Sequence, residues 1–235
     1  MTILLTRPLE DSLELTTSLQ NAAICSFIEP MFRVEYLAYE DPPTNVDSLI
    51  FTSKHALKAI KANLAIPRTV KCFVVGKEVS LYAQRLGFTV QTAESCVSDL
   101  VTVLIKNHHK SLLYLRGEII TLDIKRVLQK QNISIQERIV YKTIAAQNLS
   151  DTLIAKLKNT EIKAVTLFSK TTAEIFFKLI NQYGIENFLK EVTILVVSED
   201  VKSFISKIAK DMISNNLVRV FKNRDHLIDI AKTQL

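Results

Sequence analysis

Short apolar runs of strand length alternate with amphipathic segments of helix length along nearly the whole chain, and this rhythm restricts the fold more than any single motif. "TILLT" precedes "LEDSLELTTSLQNA", "SLIFTS" precedes "KHALKAIKANL", and "VKCFVVG" precedes "KEVSLYAQRLG". The same succession returns in "SLLYLRG" and "LDIKRVLQKQN", in "KAVTLFS" and "KTTAEIFFKLINQYG", and in "VTILVVS" and "EDVKSFISKIAKDM". Strands that alternate with helices of this length make parallel sheets covered on both faces. Three-layered α/β architecture is expected. With 235 residues and 48% hydrophobic content the chain can fill two small cores or one large one.

Two segments break the rhythm. "EPMFRVEYLAYEDPP" (29–43) and "QERIVYKTIAAQNLS" (136–150) are longer, alternate apolar and polar residues, and are not followed at once by a helix. Each reads as an extended strand that leaves one unit and enters another. If both cross the same boundary, residues 37–143 form an inserted domain and residues 1–34 with 147–235 form the outer one.

An internal repeat supports that division. "LIFTSKHALKAI" (49–60) and "TLFSKTTAEIF" (166–176) align on their Ser-Lys pair, so Ser53 falls on Ser169 and Lys54 on Lys170. "CFVVGKEVSLYAQRLGFTVQT" (72–92) then aligns with "ILVVSEDVKSFISKIAKDM" (194–212), placing Gly76 on Ser198 and Val79 on Val201. "LLYLRGE" (112–118) has its partner at the start of the chain, in "ILLTRPL" (3–9), which places Arg116 on Arg7. The fourth element of the middle unit is thus the first of the outer one. Duplicated α/β units, one inserted in the other in cyclically permuted order, produce that pattern.

Every matched polar residue stands where a strand ends and a helix begins. In open α/β sheets ligands bind at that edge, where free helix N–H groups favour anions. Ser53 and Ser169 are equally expected as N-caps, each worth about 1 kcal/mol, and the two roles are compatible. The +6 net charge resides in residues 37–146, with 15 Lys and Arg against 9 Asp and Glu. Without long basic runs or aromatic interleaving, this suggests a discrete anionic ligand, or simply solvated helix faces, more than a nucleic-acid track.

Other chemistries lack their signatures. Four glycines (76, 87, 117 and 184) cannot write a G-x-G-x-x-G or Walker loop, and no G-x-S-x-G elbow occurs. Cys25, Cys72 and Cys96 lack metal or C-x-x-C spacing and read as reduced, mostly buried thiols of a cytosolic protein. His108 and His109 diverge as neighbours on a helix and read as surface residues; His55 and His226 read as helix-start residues rather than ligands. No run reaches the roughly 18 apolar residues of a membrane span, and the N-terminus reads as a first strand rather than a signal peptide.

The words "LLTRP", "LIFTSKHAL", "VVGKEV…LGF", "LYLRGE…L…VYKT" and "LFSKTTAEIFF", in this order, resemble the uroporphyrinogen-III synthase family over nearly the whole chain. The resemblance implies an α/β fold of two flavodoxin-like parallel-sheet domains joined by a two-stranded linker, one inserted in the other. It implies cyclisation of hydroxymethylbilane to uroporphyrinogen III with inversion of ring D, loss of water and no cofactor. Tyr141 in "IVYKT" matches the family's linker tyrosine, whose phenol would donate to the departing hydroxyl. Arg7 and Arg116 would pair substrate carboxylates or else tie down loops. Ser53, Gly76, Ser169 and Ser198 complete the expected substrate contacts, with the helix-starting Lys54 and Lys170 weaker candidates, since such positions are often just solvated. A cytoplasmic monomer, in transient contact with the upstream deaminase and with neither nucleic acid nor membrane as partner, goes with that reading.

The chain departs from the family's pattern at Val79 and Val201, which stand where relatives often carry a hydroxyl. Glu78, Glu199 and Asp200 add negative charge at the same helix starts. The alternative from another class is a two-domain module that closes on a small polyanionic ligand without chemistry.

Overall fold

The computed structural model describes residues 2–43, 45–63, 65–93, 96–106 and 111–234. His108 and His109 lie outside them. In chain order the first elements are β1 (Thr2–Leu5), α1 (Leu9–Asn21), β2 (Cys25–Ile28) and β3 (Phe32–Tyr36). Then come β4 (Ser48–Phe51), α2 (Lys54–Ala59), β5 (Lys71–Val75), α3 (Lys77–Arg85), β6 (Thr89–Ala93) and α4 (Val97–Lys106). β7 (Leu112–Gly117), α5 (Ile124–Gln129) and the long β8 (Ile135–Ala145) follow. The chain closes with α6 (Asp151–Lys158), β9 (Ile162–Leu167), α7 (Lys170–Gln182), β10 (Thr193–Val196), α8 (Glu199–Ile208), β11 (Val218–Val220) and α9 (Arg224–Gln234).

The chain divides into two compact units, Met1–Arg33 with Ile144–Leu235, and Val34–Thr143. The first unit holds a parallel sheet in the order β11-β10-β9-β1-β2. Numbered as its strands occur in the chain this is the flavodoxin order 2-1-3-4-5. The second unit holds β8-β7-β4-β5-β6, also parallel, which in its own numbering is 5-4-1-2-3. The two orders are cyclic permutations of one another. β4 takes the place of β9, β5 of β10, β6 of β11, β7 of β1 and β8 of β2; the repeated sequence words carry the β4–β9, β5–β10 and β7–β1 parts of this correspondence.

Both faces of each sheet are covered, because neighbouring strand residues point to opposite sides. In the first unit Leu4, Val165 and Ile194 pack with Phe176 and Leu153 on one face, while Ile3, Leu5 and Leu195 pack with Leu19 and Leu227 on the other. In the second, Leu49, Phe51, Leu113 and Leu115 pack with Leu57, and Ile50, Phe73, Leu112 and Tyr114 pack with Leu100 and Leu128. All four residues of β4 are buried, as a central parallel strand requires. The repeat positions Val79 and Val201 belong to this packing: Val201 is buried and Val79 packs against the core.

The chain passes between the units in β3 and β8, which lie side by side at the edge of the second sheet. The Leu37 N–H donates to the Val140 carbonyl (3.0 Å) and the Ala146 N–H to the Met31 carbonyl (2.9 Å), an antiparallel ladder. Lys142 and Glu35 face each other across it at 2.9 Å.

The cysteines correct one expectation. Only Cys72 is buried; Cys25 and Cys96 are exposed. Cys25 opens β2, at the edge of its sheet, where a strand residue has a neighbour on one side only. Among the described residues, no helix is long and apolar enough to cross a membrane, and no cluster of His, Cys, Asp or Glu could hold a metal ion.

Candidate functional site

In each unit the strand order reverses at one place: between β1 and β9 in the first, and between β4 and β7 in the second. At such a point the loops leave in opposite directions and a crevice opens beyond the strand ends. Most of the expected site residues stand at these two places, and Gly76 and Ser198 lie one strand further along.

In the second unit, β4 runs into Thr52 and Ser53, β7 ends in Arg116 and Gly117, and Tyr141 comes from β8. A cavity of ≈ 180 Å³ opens between them, lined by Ser53, Tyr114, Gly117 and Tyr141, with Thr52 and the loop 119–122. Ser53 caps α2 by accepting the His55 N–H at 3.1 Å, and its own hydroxyl proton is not used in that bond. The His55 ring lies 5.7 Å from the Tyr141 ring, tilted by 54°. Lys54 opens the same helix. Gly76 caps α3 one strand further along, with φ 83°, a conformation that glycine adopts without steric cost.

Tyr114 is a second phenol at this cavity, at a position that no sequence motif marks. Its hydroxyl and that of Thr52 are 2.9 Å apart. Burial raises its pKa above the ordinary tyrosine value, only partly offset by the Thr52 hydrogen bond, so it stays protonated as a hydrogen-bond donor at neutral pH. In "SLLYLRG" a tyrosine reads as one more strand residue, and nothing local marks that its hydroxyl end reaches a cavity.

Arg116 is engaged within the protein. Its guanidinium donates to both carboxylate oxygens of Glu137 (3.2 and 3.5 Å), to the Gly117 carbonyl (2.8 Å) and to the Glu118 carbonyl (3.1 Å). The arrangement holds the turn that follows β7. Of the two roles the sequence left open for this arginine, the geometry displays loop fixation.

The equivalent place in the first unit is braced by hydroxyls. Thr6 donates to the Thr166 carbonyl and Thr166 to the Leu4 carbonyl, locking β1 to β9. Arg7 pairs with the buried Asp11 at 2.9 Å and lies over the Phe168 ring at 4.7 Å. Ser169 caps α7 by accepting the Thr172 N–H at 3.1 Å, and Ser198 caps α8 by accepting the Val201 N–H at 3.3 Å. Lys170 reaches Asp200 at 2.8 Å, so part of its charge is matched by the acidic start of α8. The structure therefore brings Ser53 and Tyr141 to one cavity, with Arg116 behind its rim. Arg7, Ser169 and Ser198 stand at the corresponding edge of the other unit.

The profile of the family described as "Uroporphyrinogen-III synthase HemD" matches residues 16–215. The chain belongs to the uroporphyrinogen-III synthase family. Solved structures agree in fold. The uroporphyrinogen-III synthetase of Helicobacter pylori is 16% identical, with a TM-score of 0.66, and the match covers 100% of this chain and 99% of that one. A mutant uroporphyrinogen III synthase from the extremely thermophilic bacterium Thermus thermophilus is 12% identical, with a TM-score of 0.58 over 99% and 98% of the two chains. No curated protein matches significantly. The uroporphyrinogen-III synthase fold is thus shared at low sequence identity.

Proposed function

We infer that this chain is a uroporphyrinogen-III synthase, a cyclising hydro-lyase of tetrapyrrole biosynthesis that acts on hydroxymethylbilane without a cofactor. The family match over residues 16–215 carries the reading. In it, the substrate's terminal hydroxyl takes a proton from the Tyr141 phenol and leaves as water, and the remaining azafulvene cation is attacked by the substituted carbon of ring D. The spiro intermediate then fragments and recloses with that ring reversed. The proton lost on rearomatisation returns to Tyr141, so the sum is loss of one water. The protein's main contribution is orientation, because unassisted closure proceeds without inversion.

The cavity supports this division of labour. At ≈ 180 Å³ it is smaller than an ordinary ligand pocket of about 300–1,000 Å³, and would take one ring or its side arms rather than a whole tetrapyrrole. Ser53 and Tyr114 offer neutral donors to such a group, beside Tyr141. Lys54, Gly76, Ser169 and Ser198 are proposed as further contacts to the eight carboxylates. Arg7 and Arg116 would contribute field and loop geometry more than direct salt bridges, since both already have acidic partners. The reading includes a cytoplasmic monomer that receives its unstable substrate in transient contact with the preceding deaminase.

Freshly generated hydroxymethylbilane, with separation of the oxidised products, tests the proposal. Isomer III should predominate with the native chain and fall with Tyr141→Phe. Isomer III unaffected by that change would remove the tyrosine from the mechanism and keep the activity. Isomer I alone, at the spontaneous rate, would overturn the reading.

A further inference from the structure

Gly117 is a glycine for an unusual reason. Gly76, Gly87 and Gly184 have positive φ (83°, 90° and 62°) and open space where a Cβ would stand. Their requirement lies in the backbone. Gly117 is the reverse: its φ is not positive, it sits within the ladder of β7, and a Cβ there would lie 2.6 Å from Cζ and 2.8 Å from the hydroxyl oxygen of Tyr141. Real Cβ atoms do not come that close to a ring.

The backbone explains why the ring is there. Along β7 and β8 the pairing runs regularly up to Arg116 opposite Ile139, and then Gly117 stands opposite Tyr141. One extra residue, Val140, has been taken up on β8, a bulge of the kind that re-aims side chains. The Glu118 N–H donates to the Tyr141 carbonyl at 2.9 Å, which pins the residue beyond the bulge. Tyr141 is thereby laid over the bare Cα of Gly117, with its ring lining the same cavity as Ser53 and Tyr114.

We propose that Gly117 is a positioning residue for the reaction: its missing side chain provides the space in which the Tyr141 phenol is held at the cavity, and turnover depends on that placement. The proposal rests on the reading of Tyr141 as proton donor. A methyl group at 117 would turn the ring away, and a displacement of about 1 Å at a catalytic group is worth about 10²-fold in rate. Because the φ of Gly117 is not positive, the ring is the obstacle to alanine.

The test is a double-mutant cycle of Gly117→Ala and Tyr141→Ala, read by kcat, KM and thermal stability. Gly117→Ala alone should lower kcat by about 10²-fold with KM changed less than about threefold, since the lost interaction belongs to the transition state. In the Tyr141→Ala background the same change should alter kcat less than about twofold. Should Gly117→Ala fold too poorly for kinetics, the double variant should be the more stable of the two, because the ring that conflicts with the methyl group is gone. Equal losses of kcat in both backgrounds, native kcat in Gly117→Ala, or a double variant no more stable than Gly117→Ala would each overturn the proposal. A Tyr141→Phe chain with full isomer III production refutes the donor role separately, and leaves the ring contact to be judged by the stability cycle.

Discussion

The hydroxyls of Thr52 and Tyr114 meet at 2.9 Å, tying the end of β4 to β7 across the point where the strand order of the second unit reverses. Tyr114→Phe removes this bond and leaves Thr52 without its phenol partner, which should cost about 1 kcal/mol in urea unfolding. The tyrosine also makes stability depend on alkaline pH. Its folded pKa is raised above the ordinary value, first by burial, so the folded chain resists losing that proton. Its contribution is therefore complete below about pH 10 and is lost as pH rises further. Tyr114→Phe should flatten the alkaline part of the stability profile; an unchanged slope would count against the burial of this phenol.

Arg116 and Glu137 form a pair at 3.2 Å with only 14% and 15% of their side chains exposed. Lys142 and Glu35, at 35% and 40%, form a shorter pair at 2.9 Å. Burial should outweigh length here. Glu137→Gln leaves a largely buried guanidinium with reduced compensation and is expected to cost about 2–3 kcal/mol, against less than about 1 kcal/mol for Glu35→Gln. Denaturant unfolding of the two variants decides, and equal losses would show that the Arg116 pair is as well solvated as a surface one.

The thiols should separate by reactivity. Burial pushes the Cys72 thiol up to about 12, with nearby Arg68 opposing the shift, whereas Cys25 and Cys96 are exposed. Thiolate is the reactive form, so at pH 8 a disulfide reagent should label two of the three thiols in the folded chain and the third only on unfolding. Since the raised pKa belongs to the folded state, the Cys72 contribution to stability is present below about pH 9 and is lost as pH rises toward about 12. Rapid labelling of all three would contradict the burial of Cys72.

Glu199 opens α8, where a carboxylate favours the helix by about 0.3–1 kcal/mol and would repel a polyanionic substrate. Glu199→Gln should therefore leave KM for hydroxymethylbilane unchanged or lower, at a small cost in thermal stability. A KM raised several-fold would assign this side chain a positive part in binding.

Much of the architecture is legible in the sequence. Apolar runs such as "LIFTS" and "ILVVS" followed by helical periodicity identify parallel α/β sheets, because strand burial and helix amphipathicity are written within a few residues. The order of the repeated words also anticipates that the strands of one unit follow those of the other in cyclic permutation, since each word is a strand-to-helix turn. Ser53, Ser169 and Ser198 are caps in the structure for the same local reason. The exposure of Cys25 was not legible, because an edge strand and an interior strand can share one composition.

By itself, then, the sequence determined what depends on neighbours along the chain: the succession of strands and helices, their caps, the double coverage of the sheets, and the family to which the words belong. Tertiary structure decided which distant residues meet. Glu137 takes Arg116 from across the β7–β8 ladder, Thr52 finds Tyr114 on a neighbouring strand, and a bulge at Val140 lays Tyr141 over Gly117. These contacts join residues far apart in sequence through register and bulging. The alternation of apolar residues says which face of a strand is buried, but not which distant residue it meets or where a bulge is taken up.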